Sequence, residues 1–120
     1  MSTKYDVTIT RIGKLARTFL ENNSSTILLD EGTHPNLADM VIEHTPGELK
    51  ENIVPGDTLE IGNMQYTVDK VGEVANDTLR EEGHCTVVYN GTGSMPGQII
   101  VSGPAKPVVS NGAHIIFKKK

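Results

Sequence analysis

Four histidines, His34, His44, His84 and His114, are the residues of this 120-residue chain whose chemistry invites a role beyond packing. Near neutral pH, imidazole acts as a nucleophile, exchanges protons and binds metals. None of the four stands in a local metal-ligand pattern: there is no HExxH, no His-x-His and no CxxC. A metal could be held only by ligands that the fold brings together from a distance. His84 and Cys85 are neighbours on an expected strand, where consecutive side chains point to opposite faces, so they do not form a nucleophile and base. Cys85 reads as a small core residue. No GxSxG elbow marks a hydrolase serine. Gly91-Thr92-Gly93 lacks the lysine and helix of a phosphate-binding loop and reads as a hairpin loop.

His44 differs in its setting. It falls where the apolar run Met40-Val41-Ile42 gives way to Thr45-Pro46-Gly47, in which proline fixes φ and glycine supplies freedom. A histidine at a strand end, beside turn amides that can hold phosphate oxygens, suits a phosphohistidine. On these grounds alone an exposed turn histidine without a role remains the simpler reading, since turns are polar whether or not they function.

The elements that must position these residues are mostly strands. Tyr5, Val7 and Ile9 alternate with polar residues, the period of a strand with one buried face. After Gly13, Leu15, Ala16, Phe19 and Leu20 recur at helical spacing until Asn22-Asn23-Ser24-Ser25 stops the pattern. Thr26 to Leu29 reads as a strand, and a polar connection leads to the run before His44. Thr58 to Ile61 and Met64 to Val71 pair across Gly62-Asn63 as a tight hairpin. Val74, Ala75 and Leu79 suggest a second short helix ending at Gly83. His84 to Tyr89, Ile99 to Val101 and Ala113 to Phe117 complete the strands. Short strands punctuated by glycine and proline predict an all-β, mainly antiparallel fold, a closed or partly open small barrel with one or two short helices.

Composition narrows the function classes. A formal net charge of -4 removes most of the electrostatic drive for binding nucleic acid, and the only basic run, Lys118 to Lys120, is a tail. No stretch of about 20 apolar residues could span a membrane. The residues from Met1 onward enter strand-like sequence without an apolar signal segment, and Cys85 is the only cysteine, so a cytoplasmic protein without disulfides is expected. The length predicts a single domain over residues 1–120.

The strings His44-Thr45-Pro46-Gly47-Glu48-Leu49-Lys50, Pro55-Gly56 and Val71-Gly72-Glu73-Val74-Ala75-Asn76-Asp77-Thr78-Leu79-Arg80-Glu81-Glu82-Gly83-His84 resemble the glucitol/sorbitol-specific enzyme IIA family of the sugar phosphotransferase system. The opening Thr8-Ile9-Thr10-Arg11-Ile12-Gly13 and the later Pro96-Gly97 and Ser102-Gly103-Pro104 match it too, so the resemblance runs through nearly the whole chain in order. It implies a phosphotransferase component that takes a phosphoryl group from the phosphocarrier protein HPr on a histidine and passes it to the IIB domain of the IIB/IIC glucitol/sorbitol permease. No cofactor and no metal are implied.

Carried over by position, the phosphorylated histidine falls on His44, and His84 matches a histidine given a supporting role at the imidazole or phosphate. The backbone amides of Gly47 and Glu48 are the candidate phosphate holders, and Glu48 or a backbone carbonyl is the candidate partner of the second imidazole nitrogen. One departure is Pro46, where relatives can carry a second histidine. In-line transfer predicts an exposed His44, with Ile42 and Leu49 either beside it in a docking surface or packed in the core. His34 and His114 are expected at the surface. The competing readings are a non-catalytic β-barrel binding module and, more remotely, a small histidine- or metal-dependent hydrolase.

Overall fold

The computed structural model describes residues 2–93 and 95–120. The alternation that begins the chain builds β1 (Thr3–Ile12), with Tyr5, Val7 and Ile9 buried. Then follow α1 (Lys14–Asn23), β2 (Ser25–Asp30), a 3-10 turn at Pro35–Leu37, β3 (Ile42–His44), β4 (Thr58–Ile61) and β5 (Met64–Val71). The rest of the chain forms α2 (Ala75–Glu82), β6 (Cys85–Tyr89), β7 (Gln98–Ser102) and β8 (His114–Lys118).

The strands close into a barrel in the order β1-β3-β2-β6-β7-β5-β4-β8. Small eight-stranded barrels are filled by their own inward side chains, and here Leu28, Ile42, Leu59, Val87, Ile99 and Phe117 are buried completely. β4 and β5 meet through Gly62 and Asn63, whose φ values of 57° and 68° are the left-handed pair that a tight two-residue hairpin needs.

The antiparallel expectation holds for most of the barrel, but β2/β3 and β6/β7 are parallel. This corrects the reading of Gly91-Thr92-Gly93. Because Tyr89 and Gln98 belong to parallel neighbours, the connection between them is a crossover rather than a hairpin.

After His44 the chain turns back along β1. The Thr45 amide donates to the Thr8 carbonyl at 2.9 Å, and the Lys50 amide donates to the Lys4 carbonyl at 2.9 Å. Lys4 Nζ is buried and donates to Asp57 Oδ2 and to the Asn52 carbonyl, both at 2.7 Å. The same segment docks on α2: the Ile53 amide donates to Asn76 Oδ1 at 2.7 Å, and Asn76 Nδ2 donates to the Ile53 carbonyl at 3.0 Å. On its other face, α2 buries Ala75 and Leu79 in the barrel core. Among the described residues, no helix is long and apolar enough to cross a membrane.

Candidate functional site

The three residues of β3 lie between β1, antiparallel, and β2, parallel. Residues opposite one another in a sheet share a face, and the register Leu28↔Ile42 and Asp30↔His44 carries two apolar residues into two polar ones along one inward column. At this end of the column, His44 and Asp30 stand inside the barrel wall.

His44 has no exposed surface. The surface position expected for in-line transfer is therefore corrected: strand parity turns the ring inward, and the turn after α2 lies over it. Nδ1 is 2.8 Å from the Thr45 carbonyl oxygen, and Nε2 is 2.9 Å from the Gly83 carbonyl oxygen. A neutral imidazole owns one N–H and so can donate to only one of these carbonyls; a doubly protonated ring donates to both. The partner of the second nitrogen is thus a backbone carbonyl rather than Glu48.

Each contact is fixed by local structure. Thr45 is locked to Thr8 in both directions, since the Thr8 amide also donates to Thr45 Oγ1 at 3.0 Å. Gly83 ends α2 in the left-handed region, at φ 63°, with its amide donating to the Leu79 carbonyl at 3.0 Å. A Cβ on Gly83 would collide with Asp30 Oδ1 and lie 2.6 Å from His44 Cε1. Gly83→Ala therefore combines a left-handed backbone penalty with a clash. It is expected to lower stability by about 2–4 kcal/mol, read as a fall in the urea midpoint; an unchanged midpoint would mean that the turn has room to spare.

The surroundings of the ring are polar and incompletely paired. Asp30 Oδ1 lies 3.7 Å from His44 Nδ1 and is buried without a hydrogen bond among the described residues. Burial raises the Asp30 carboxyl above its ordinary value; the His44 ring opposes that shift, and Glu82 and Glu31 add to it. The Tyr5 and His44 rings meet at right angles, with centroids 6.1 Å apart, and the Tyr5 hydroxyl is likewise buried and unpaired among the described residues. Burial first, then Asp30 and Cys85, hold that hydroxyl protonated well beyond its usual range. The Cys85 thiol is pushed up to about 12 by burial, which keeps it an inert core group.

The other expected residues fall elsewhere. The His84 ring makes no hydrogen bond among the described residues; it is the carbonyl of its neighbour Gly83 that reaches the His44 ring. The His84 backbone is held by Thr78, whose Oγ1 donates to the His84 carbonyl at 2.6 Å. Gly47 and Glu48 are exposed, and neither imidazole nitrogen contacts them. Ile42 and Leu49 are core residues, which removes them as docking contacts. His34 pairs with Glu82 at 2.9 Å and His114 with Asp6 at 3.2 Å, both at the surface. Asp30 and the Gly83 carbonyl escaped the sequence reading. Asp30 follows the apolar residues of β2 at the parity of Leu28, but only the parallel pairing with β3 brings it to His44.

The barrel is the fold of a phosphotransferase-system IIA component. A solved structure described as PTS System IIA Component from Enterococcus faecalis V583 superposes with a TM-score of 0.86, covering 94% of this chain and 98% of that one at 24% identity. The family model for the PTS system glucitol/sorbitol-specific IIA component matches residues 4–116. Two proteins named PTS system glucitol/sorbitol-specific EIIA component, from Shigella flexneri and Escherichia coli (strain K12), are each 36% identical over 120 residues, spanning 98% of this chain and 97% of their own. The chain belongs to this glucitol/sorbitol-specific IIA family. It is a phosphoryl carrier, a phosphotransferase component of sugar uptake.

Proposed function

We propose that residues 1–120 work as one IIA domain in the cytoplasm, that His44 receives the phosphoryl group from phospho-HPr, and that it delivers the group to the IIB domain of a glucitol/sorbitol permease. The observation that carries this reading is the 2.8 Å contact between His44 Nδ1 and the carbonyl of its own chain neighbour Thr45. Once the Gly83 carbonyl, 2.9 Å from Nε2, withdraws, a proton held on Nδ1 by Thr45 leaves the lone pair on Nε2, which is the state a nucleophilic imidazole requires. The one group on Nε2 is the Gly83 carbonyl, carried by a glycine turn at a helix end. Helix ends and turns open locally at far lower cost than the barrel strands. Displacement of this turn admits the partner phosphohistidine in line with Nε2 and removes the obstacle that burial presents.

The phosphoryl group, once on Nε2, occupies the side from which the Gly83 carbonyl withdrew. The backbone amides of Gly47 and Glu48, two exposed residues on the segment that follows the ring, serve as its hydrogen-bond donors. Backbone dipoles hold the group without the strong charge that would trap it, as a relay requires. The buried free thiol at Cys85 fits a reducing compartment.

The test is transfer of label from phosphoenolpyruvate through enzyme I and HPr to this protein, followed by addition of membranes bearing the permease and the polyol. Label that enters only when HPr is present and leaves as sugar phosphate supports both partners. Label arriving without HPr, or never leaving, would refute the corresponding step. Neither a binding module nor a hydrolase would become labelled.

A further inference from the structure

Resting on His44 as the carrier, we propose that Asp30 is a positioning residue for the transfer, holding the proton on His44 Nδ1 while the phosphoryl group arrives at and leaves Nε2. The two residues are register partners on adjacent parallel strands, and they face the same interior column. Asp30 Oδ1 is 3.7 Å from Nδ1 and, among the described residues, has no hydrogen bond although that atom is buried; the side chain as a whole is 19% exposed. The absent side chain of Gly83 leaves the space in which this oxygen and the ring approach one another. An unpaired carboxylate oxygen is costly to bury, so its orientation toward the imidazole calls for an explanation. The explanation lies in the charge that the ring acquires during transfer.

On arrival, the Nε2 lone pair forms the bond to phosphorus as the donor P–N bond breaks and its electron pair returns to the donor imidazole. Nδ1 keeps its proton, so the phosphorylated ring is an imidazolium. On departure, the acceptor nucleophile bonds to phosphorus, the P–Nε2 electron pair returns to Nε2, and the ring leaves neutral with Nδ1 still protonated. A ring that lost the Nδ1 proton in between would have to leave as an imidazolate, a far poorer leaving group. The Thr45 carbonyl accepts the Nδ1 hydrogen bond, and the Asp30 carboxylate supplies the negative charge that keeps the proton in place. Glu31 and Glu82 also act on this carboxylate, the Tyr5 ring stands at right angles to that of His44, and Cys85 is protonated. Asp30 is the acidic group in ion-pair range of Nδ1.

The experiment compares the wild type, Asp30→Asn and Asp30→Ser after labelling through HPr. It follows loss of label against pH, onward transfer to permease membranes, and thermal melting. The labelled peptide is mapped in the wild type first, so that label away from His44 refutes the carrier reading and leaves this proposal without its basis. With His44 labelled, both neutral variants should lose phosphate with a profile displaced to lower pH by about one unit and transfer onward about tenfold more slowly at neutral pH. Their melting temperatures should be no lower than that of the wild type, because burial already disfavours the ionised carboxyl. Variants with the wild-type pH profile and transfer within twofold would overturn the proposal, as would slow transfer with an undisplaced profile, which is the mark of a merely structural change.

Discussion

His44→Ala protein is expected to take up no acid-labile phosphoryl label, a fall of roughly a thousandfold or more against wild type, because no other group can stand in for a missing nucleophile. The loss should be separable from folding. His44 satisfies the Thr45 carbonyl, and its ring fills the space beneath Gly83, so alanine leaves both a cavity and a carbonyl without its partner. That damage is worth about 1–3 kcal/mol, which a barrel of this size survives. His44→Gln keeps a side-chain donor in the same place and should melt closer to wild type, yet it should remain unlabelled. His84→Ala keeps the Gly83 carbonyl and both imidazole contacts, and it should be labelled. Label that disappears with His84 and persists without His44 would transfer the carrier role to the half-buried neighbour.

The second large effect concerns stability. Asp57→Ala should cost about 3–5 kcal/mol, because it leaves the buried Lys4 ammonium without its counter-charge. Lys4 and Asp57 are 2.7 Å apart with side chains only 4% and 3% exposed, and Asp57 Oδ2 also accepts from the Val54 amide at 3.0 Å. Neutralising both partners in Lys4→Met/Asp57→Asn removes the stranded charge and retains an acceptor for Val54, so the double variant should recover more than half of the loss. Urea denaturation checks both, and a double variant as unstable as the single one would mean that packing, not charge, is at stake. The effect reaches the site. Lys4 anchors the segment at Asn52, and that segment docks on α2 through Ile53, Asn76 and Arg80. Loosening it should speed amide exchange at Gly83 and His84, the turn that covers His44.

Much of the barrel was legible because its strands obey a two-residue period and its turns use glycine where φ must be positive. Tyr5, Val7 and Ile9 declare the inner face of β1, and Gly62-Asn63 declares a hairpin. Gly83 marks the end of α2. Beyond that hairpin, strand pairing was not legible, since a local pattern names a strand's buried face and not its neighbour. The parallel pairs β2/β3 and β6/β7 therefore appeared only in the fold, and Gly91-Thr92-Gly93 was mistaken for a hairpin. The burial of His44 was within reach. Ile42 is a core residue two positions before it, and the same parity carries His44 inward. The exposure expected of a histidine at a strand end, beside the polar turn Thr45-Pro46-Gly47, concealed that parity. Asp30 required both its own parity and the unseen parallel register, so no reading of the chain alone could bring it to the ring.

His44 as a carrier that holds the phosphoryl group on Nε2 has a spectroscopic signature. Phosphorus–nitrogen coupling, measured by NMR on protein phosphorylated through HPr with its histidines labelled with nitrogen-15, tests this directly. Coupling to Nε2 of His44 is expected, with Nδ1 of the same ring still bearing its proton. Coupling to Nδ1 of His44, or to either nitrogen of His84, would contradict it.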